Sequence, residues 1–335
     1  MAEVEPFGAA DEGEVGRVAI SGGGLTAKII NWGAVIQDLR LDGHDAPLVL
    51  GFDQFDNYPK HSPHFGAVPG RYANRIANGR FILDGERFQV DLNQNGRHML
   101  HGGSEGYSKR LWTFADHGKD YVTLKLHSPD GDMGFPGELD AACTYRLKAN
   151  GVLSIELSAV ADRPTLCNLT NHSYFNLDDG GRSDILRHRI VIDAGAYLPV
   201  DDDAIPSGVV EPVNGLPFDF RQAGEIGGHG VEFDHNFCLA SGRRPLARAA
   251  WVQGASSGVE METWTTEPGV QFYMGHKLKP GMPSGLDGIQ YEPSSGFCLE
   301  SQVWPDSPNR AYFPQAVLRP GETYRAVTEY RFHIS

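Results

Sequence analysis

Basic runs, long apolar runs and paired cysteines are all missing from this sequence of 335 residues. Lys and Arg total 29 against 43 Asp and Glu, for a formal net charge of −14 at pH 7. Nucleic-acid binding draws its affinity from a basic stripe, and no dense Lys/Arg stretch is present. The same acidity opposes an anionic membrane surface, which recruits polybasic segments. No stretch approaches the ~18 apolar residues of a membrane span. The opening "MAEVEPFGAADEGEVG" has neither the basic start nor the apolar middle of a secretory signal, so a cytoplasmic location is expected. Cys143, Cys167, Cys238 and Cys298 lie far apart, with no Cys-x-x-Cys pair. Scattered, reduced thiols follow from that spacing. Helical periodicity is scarce too; "GRYANRIANG" (70–79) reads as one turn or a short helix.

Turns and alternation fill the chain instead. It holds 41 Gly and 21 Pro, with 40% hydrophobic and 21% charged residues, enough for a sizeable core. Apolar residues recur at every second position in "VIQDLRLDG" (35–43), "YVTLKLHS" (121–128), "HRIVIDA" (188–194), "GVEMETW" (258–264) and "TYRAVTEYRFHIS" (323–335). Asp84-Gly85 within "RFILDGERFQVDL" (80–92) and Asn150-Gly151 within "ACTYRLKANGVLSIELSAV" (142–160) mark hairpins between alternating runs. There is no fixed-period repeat and no low-complexity linker. Length alone permits two domains, but all-β chains often run long as one unit. The expectation is all-β: one large antiparallel β-sandwich domain over 1–335, with ~15 short strands and few short helices. Residues 1–15 are expected to be a loose N-terminal segment.

One passage breaks the pattern. "NLTNHSYFNL" (168–177) carries three Asn, a Thr, a His and a Ser among apolar runs. Its two sugar-attachment sequons, at Asn168 and Asn171, matter only in a secreted chain, and no export signal is seen. Read as a strand, it places Asn168, Thr170, His172, Tyr174 and Asn176 on one face. Such a face is solvated or lines a wet cleft, where amides and hydroxyls would orient the His172 imidazole. Local pattern alone favours an ordinary surface or core histidine.

Glu300 lies in "GFCLESQVWPDSPN" (296–309), where Cys298, Glu300, Gln302 and Trp304 share one strand face. A carboxylate in partly apolar surroundings gains basicity, which suits a general base near neutral pH. A solvent-facing glutamate is nevertheless the commoner local reading. His101 precedes Gly102-Gly103, which let backbone or ligand approach closely. His61-x-x-His64 and His98-x-x-His101 lack the helical context or paired Cys of zinc sites, so no metal is expected. "DGD" (130–132) and "DDD" (201–203) lack the calcium loop, and "SGGGL" (21–25) completes no nucleotide-binding pattern.

A longer series of motifs carries more. In order they are "VLGFDQFDNY" (49–58), "GRYANRIANGRFILDG" (70–85), "LHGGSEGYSKRLW" (100–112), "SPDGDMGFPGEL" (128–139), "NLTNHSYFNL" (168–177), "LPVDDDAIPSG" (198–208), "PFDFR" (217–221), "FDHNFCL" (233–239), "GVQFYMGH" (269–276), "FCLESQ" (297–302) and "LRPGETY" (318–324). From about residue 16 to the C-terminus this series resembles the aldose 1-epimerase (galactose mutarotase) family. Each motif alone is of moderate specificity; their order and number together are highly specific.

The resemblance implies the galactose-mutarotase type of β-sandwich, no metal or organic cofactor, and interconversion of the α and β anomers of a free aldose. It implies Glu300 as catalytic base and His172 as general acid. His101 matches a second active-site histidine. Asn74, Arg75 and Asp234 match contacts to sugar hydroxyls, and Gln271 matches a substrate-side position more loosely. A free aldose is the expected partner, with monomer and homodimer both open. Pro69 and Tyr72 depart from the smaller or aliphatic residues the resemblance leads one to expect, and His98 stands where Asn is common; these put the preferred sugar in doubt. Two other readings stay open. A non-catalytic sugar binder would not need both Glu300 and His172. A hexose-phosphate epimerase would need a cationic pocket, for which Arg71 and Arg75 are the nearby pair. Trp304 or Phe272 could face the sugar's C–H groups, or belong to the core.

Overall fold

Alternation builds antiparallel sheets, as the period-two pattern predicts. In the computed structural model, which describes residues 3–334, the largest sheet has nine strands. Its hairpin Leu139–Lys148 and Val152–Ala161 turns at Asn150-Gly151, and the strand Tyr324–Ile334 pairs beside it. Both residues have positive φ (63° and 70°) in the three-residue loop between the paired Lys148 and Val152, a conformation that Asn and Gly tolerate best. The register sets Cys143 opposite Leu157, and Leu157 opposite Ala326. One face is therefore apolar and buried, while Lys125, Asp140 and Arg325 point outward.

A four-stranded sheet spans Val4–Ala10, Gly13–Gly22, Leu25–Ile30 and Val35–Leu41. A five-stranded sheet orders Glu211–Pro212, Ala196–Tyr197, Asp234–Cys238, Gly269–Tyr273 and Cys298–Gln302. All three sheets feed one core: Ile20 and Ala27 from the four-stranded sheet, Leu124 and Tyr145 from the nine-stranded, Phe272 and Leu299 from the five-stranded. Each fully buried Leu, Ile or Phe contributes about 1.5–3 kcal/mol. Tyr330 Oη also donates to the Leu299 carbonyl at 2.9 Å, bonding the two largest sheets together.

Two expectations need correction. The N-terminal segment is not loose where it is described: Val4–Ala10 pairs with Gly13–Gly22, and Phe7 packs on Tyr58 with ring centroids 6.5 Å apart. Its acidic residues masked an edge strand. "GRYANRIANG" gives the two-residue strand Arg75–Ile76 and then a single 3-10 turn, Ala77–Gly79, the shorter of the two forms expected there. Asn74 and Asn78 take positive φ (61° and 53°), which a right-handed helix does not admit. The strands also outnumber the expectation, because several are only two residues long. No described helix is long and apolar enough to cross a membrane.

The site depends on the last three strands of the five-stranded sheet. Alternation turns Phe237, Val270, Phe272 and Leu299 into the core. The other face carries Asp234 and Asn236, Gln271 and Tyr273, then Cys298, Glu300 and Gln302. Of these seven residues only Asp234 is not buried. A polar sheet face roofed by loops is a cleft.

Candidate active site

Glu300 sits opposite Gln271, which sits opposite Asn236 across the next strand. "NLTNHSYFNL" forms part of the roof. It is extended but belongs to none of the larger sheets, making isolated bridges at Asn168 and Phe175 instead. All ten of its residues are buried, so the expected division into a wet and a dry face does not hold. The Asn168 side chain bonds the carbonyls of Ala73 and Val303 and accepts from the Val303 N–H at 2.9 Å. Asn171 donates to the Gly66 carbonyl, and Asn176 to those of Ser183 and Ser295. These amides substitute for a sheet ladder. Both sequon asparagines are thereby buried and occupied.

His172 is fixed from both sides of its backbone. Its N–H donates to the Ala67 carbonyl at 2.9 Å, and its carbonyl accepts from Gly66 at 3.1 Å. Its ring lies between two residues of one strand: Nδ1 is 3.5 Å from Cys298 Sγ, and Nε2 is 3.6 Å from Glu300 Oε2. Cys298 and Glu300 share a strand face, as expected. Burial lowers the His172 pKa to about 4 and pushes Glu300 well above the usual carboxylate range, with the Asp234 charge adding to the rise. The pair therefore holds one proton between the two values.

His101 is locked to its neighbour reciprocally. Its N–H donates to the Asn74 carbonyl at 2.9 Å, while Asn74 N–H donates to its Nδ1 at 3.2 Å. Burial holds His101 well below its ordinary pKa, so it is neutral. An Nδ1 that accepts leaves the proton on Nε2, making His101 a fixed donor. The following Gly102 has φ +89°, and a Cβ there would collide with the Gly70 carbonyl.

Asp234 stays ionised. Burial opposes its charge, but Arg75 (3.9 Å) and Lys277 (3.0 Å), with a 2.8 Å hydrogen bond from Gln271, hold its pKa down to about 2. Arg75 is braced by Gln94 Oε1 at 2.8 Å and Asn74 Oδ1 at 3.4 Å. The structure thus connects all seven expected site residues: Glu300 to His172 and Gln271, His101 to Asn74, and Arg75 and Gln271 to Asp234. Glu300 Oε2 and Gln271 Oε1 are buried without a hydrogen-bond partner. The ligand atoms of His101, His172 and Glu300 fall within 4.8 Å of one another, a donor set able to take a metal ion.

Other residues land elsewhere. Phe272 belongs to the core, and Trp304 packs with Leu198 and Phe313 while donating Nε1–H to Pro268. Arg71 is buried and spends its guanidinium on the carbonyls of Ser128, Pro136 and Gly137. Tyr72 Oη bonds Ser307 Oγ at 2.8 Å, and His98 accepts from Asn78 N–H at 3.0 Å; both brace loops. Residues 102–106 and 254–258 match the Gly-x-Ser-x-Gly spacing of a hydrolase elbow, yet the first leads only into the single 3-10 turn Tyr107–Lys109 and the second into the strand Val259–Thr265, not into an α-helix. Sequence reasoning missed His64, whose ring centroid is 4.8 Å from that of His101 and 5.7 Å from that of His172. Its only signal was a polar ring directly before the apolar run 65–68.

A family model described as aldose 1-epimerase matches residues 17–331. The chain belongs to the aldose 1-epimerase family. It is similar to the galactose mutarotase of Bos taurus, 43% identical over 98% of this chain and 96% of that protein. The aldose 1-epimerase of Escherichia coli is 40% identical over 92% of each. Among solved structures, galactose 1-epimerase from Lactobacillus acidophilus superposes with a TM-score of 0.87 at 25% identity, covering 100% of this chain and 99% of that one. An aldose epimerase homologue from C. elegans gives 0.88 at 29%, covering 96% and 99%. The large antiparallel sandwich is the architecture shared by the family.

Proposed function

We propose that this chain interconverts the α and β anomers of a free aldose such as galactose or glucose, with Glu300 as base and His172 as acid. The observation that carries the roles is the buried approach of Glu300 Oε2 to His172 Nε2 at 3.6 Å. Glu300 takes the proton of the C1 hydroxyl as the C1–ring-oxygen bond breaks, and His172 protonates the ring oxygen. The product is the open-chain aldehyde. Rotation about C1–C2 presents the other carbonyl face, and closure returns both protons. One proton shared by the pair suffices, since each half-reaction gains one and gives one.

Binding follows from what the cleft offers. Ionised Asp234, the Arg75 guanidinium, the Asn74 and Gln271 amides and the His101 Nε2–H suit a neutral, hydroxyl-rich ligand. Unpaired Glu300 Oε2 and Gln271 Oε1 supply two buried acceptors for sugar hydroxyls. Both terminal nitrogens of Arg71 are held by backbone carbonyls and by the Ser128 and Thr165 hydroxyls, which disfavours a phosphate pocket. The discriminating experiment is polarimetry of freshly dissolved α-galactose and α-glucose with the wild-type chain and Glu300→Gln. Rapid mutarotation by the wild type alone is expected. An equally fast Gln variant would remove Glu300 as base, and rates on hexose phosphates above those on free sugars would remove the substrate class.

A further inference from the structure

Three imidazoles meet in the cleft, and the proton shuttle with its fixed donor accounts for two. The third, His64, runs nearly parallel to His172, with centroids 5.7 Å apart and planes inclined 22°. Tyr174 does the same at 5.2 Å and 15°. Two near-parallel rings thus attend the imidazole proposed to carry a proton.

His64 is held deliberately. Its Nδ1 is hydrogen-bonded to the buried Ser108 Oγ at 2.9 Å. Its backbone sits at φ +71°, an uncommon conformation for a histidine, tolerated where surroundings impose it. The following residues, Gly66 and Ala67, are those that hydrogen-bond the His172 backbone. One short loop therefore fixes the main chain of His172 and lays a ring beside its side chain. Burial drives the His64 pKa to about 3, with the His172 charge lowering it further. The ring therefore stays neutral, and a neutral π face attracts a cation where a second imidazolium would repel it.

We propose that His64 is a positioning residue: its neutral ring, anchored by Ser108, fixes the plane of His172 and stabilises the protonated form of the acid. This rests on the role assigned to His172 above. Only an aromatic ring with a hydrogen-bonding edge can be both tethered to Ser108 and stacked on His172.

The test compares His64→Phe, which keeps a ring, with His64→Leu, which fills similar volume without one. The leucine variant is expected to lose about tenfold in kcat with KM changed less than about threefold. The phenylalanine variant should recover kcat to within about threefold of wild type. A separate readout needs no turnover: 15N NMR titration should show His172 protonating at lower pH in the leucine variant than in the phenylalanine variant. Equal kcat in the two variants, whether high or low, or equal titration of His172 in both, overturns the proposal. Should neither variant fold, His64→Tyr and His64→Met repeat the comparison of ring against no ring, and equal kcat in those two overturns it equally. A wild-type chain inactive on every aldose would instead remove the catalytic reading, while the His172 titration would still decide the role of His64.

Discussion

His172 Nε2 lies 3.6 Å from Glu300 Oε2, and both side chains are buried. The two reach each other from different parts of the fold. Glu300 projects from a sheet strand, while His172 hangs from a segment that asparagine side chains and the 64–67 loop hold in place. Between them they store one proton, because burial disfavours both the carboxylate and the imidazolium. A sugar hydroxyl and ring oxygen placed between the two groups would hydrogen-bond both charged forms.

Acid and base that act on one proton inventory should fail as a unit. Glu300→Gln and His172→Asn are each expected to lower kcat by about 10²–10⁴-fold. The double variant should lose little more than the worse single one, as in other catalytic groups that act together. Stopped-flow polarimetry or exchange NMR of the anomers measures this. Multiplying losses would mean the residues act in independent steps.

The pH profile follows from the same pair. His172, lowered to about 4, and Glu300, raised well above the carboxylate range, bracket a window in which the pair holds one proton. Below that window both groups are protonated and no base remains; above it both are deprotonated and no acid remains. A bell-shaped kcat/KM is expected, its acid limb near pH 4 rather than near the ordinary histidine value. A profile flat from pH 3 upward would contradict the arrangement.

Much of the frame was legible because its signals are local. Asp84-Gly85 and Asn150-Gly151 fix hairpins through backbone conformations those residues favour, and strict alternation in 323–335 can form only a half-buried strand. Site residues were legible chiefly through the ordered motifs. Periodicity alone favoured a solvent-facing Glu300, since it cannot show that a polar sheet face is roofed by 64–67 and 168–177. Nor could it show that Phe272 turns into the core, that Arg71 is consumed by distant carbonyls, or that Phe7 anchors the N-terminal strand. Those facts arise from contacts between residues remote in sequence. His64 was weighed only against His61, at zinc-like spacing; its true neighbours are His101 and His172.

The convergence of His101, His172 and Glu300 makes metal dependence testable rather than moot. If the two proton carriers perform the reaction, exhaustive treatment with a chelator should leave kcat within about twofold. Loss of activity on chelation, restored by a divalent cation, would show that the three residues serve as ligands and would replace the proton-transfer roles proposed for them.

Buried neutral histidines also set an acid limit on stability. His101 ionises well below its ordinary value in the fold, while the unfolded chain takes up that proton near pH 6.5. In the interval between, the unfolded state binds more protons, so unfolding free energy falls as pH falls. A single such group contributes a slope of at most about 1.4 kcal/mol per pH unit. His101→Asn should flatten the dependence of urea-unfolding free energy between pH 6.5 and 4.5 by up to that amount, whatever it does to stability at pH 7. The relevant comparison is therefore slope, measured at several pH values on both chains. An unchanged slope would mean that His101 is protonated in the native cleft, which its hydrogen bond from the Asn74 N–H opposes.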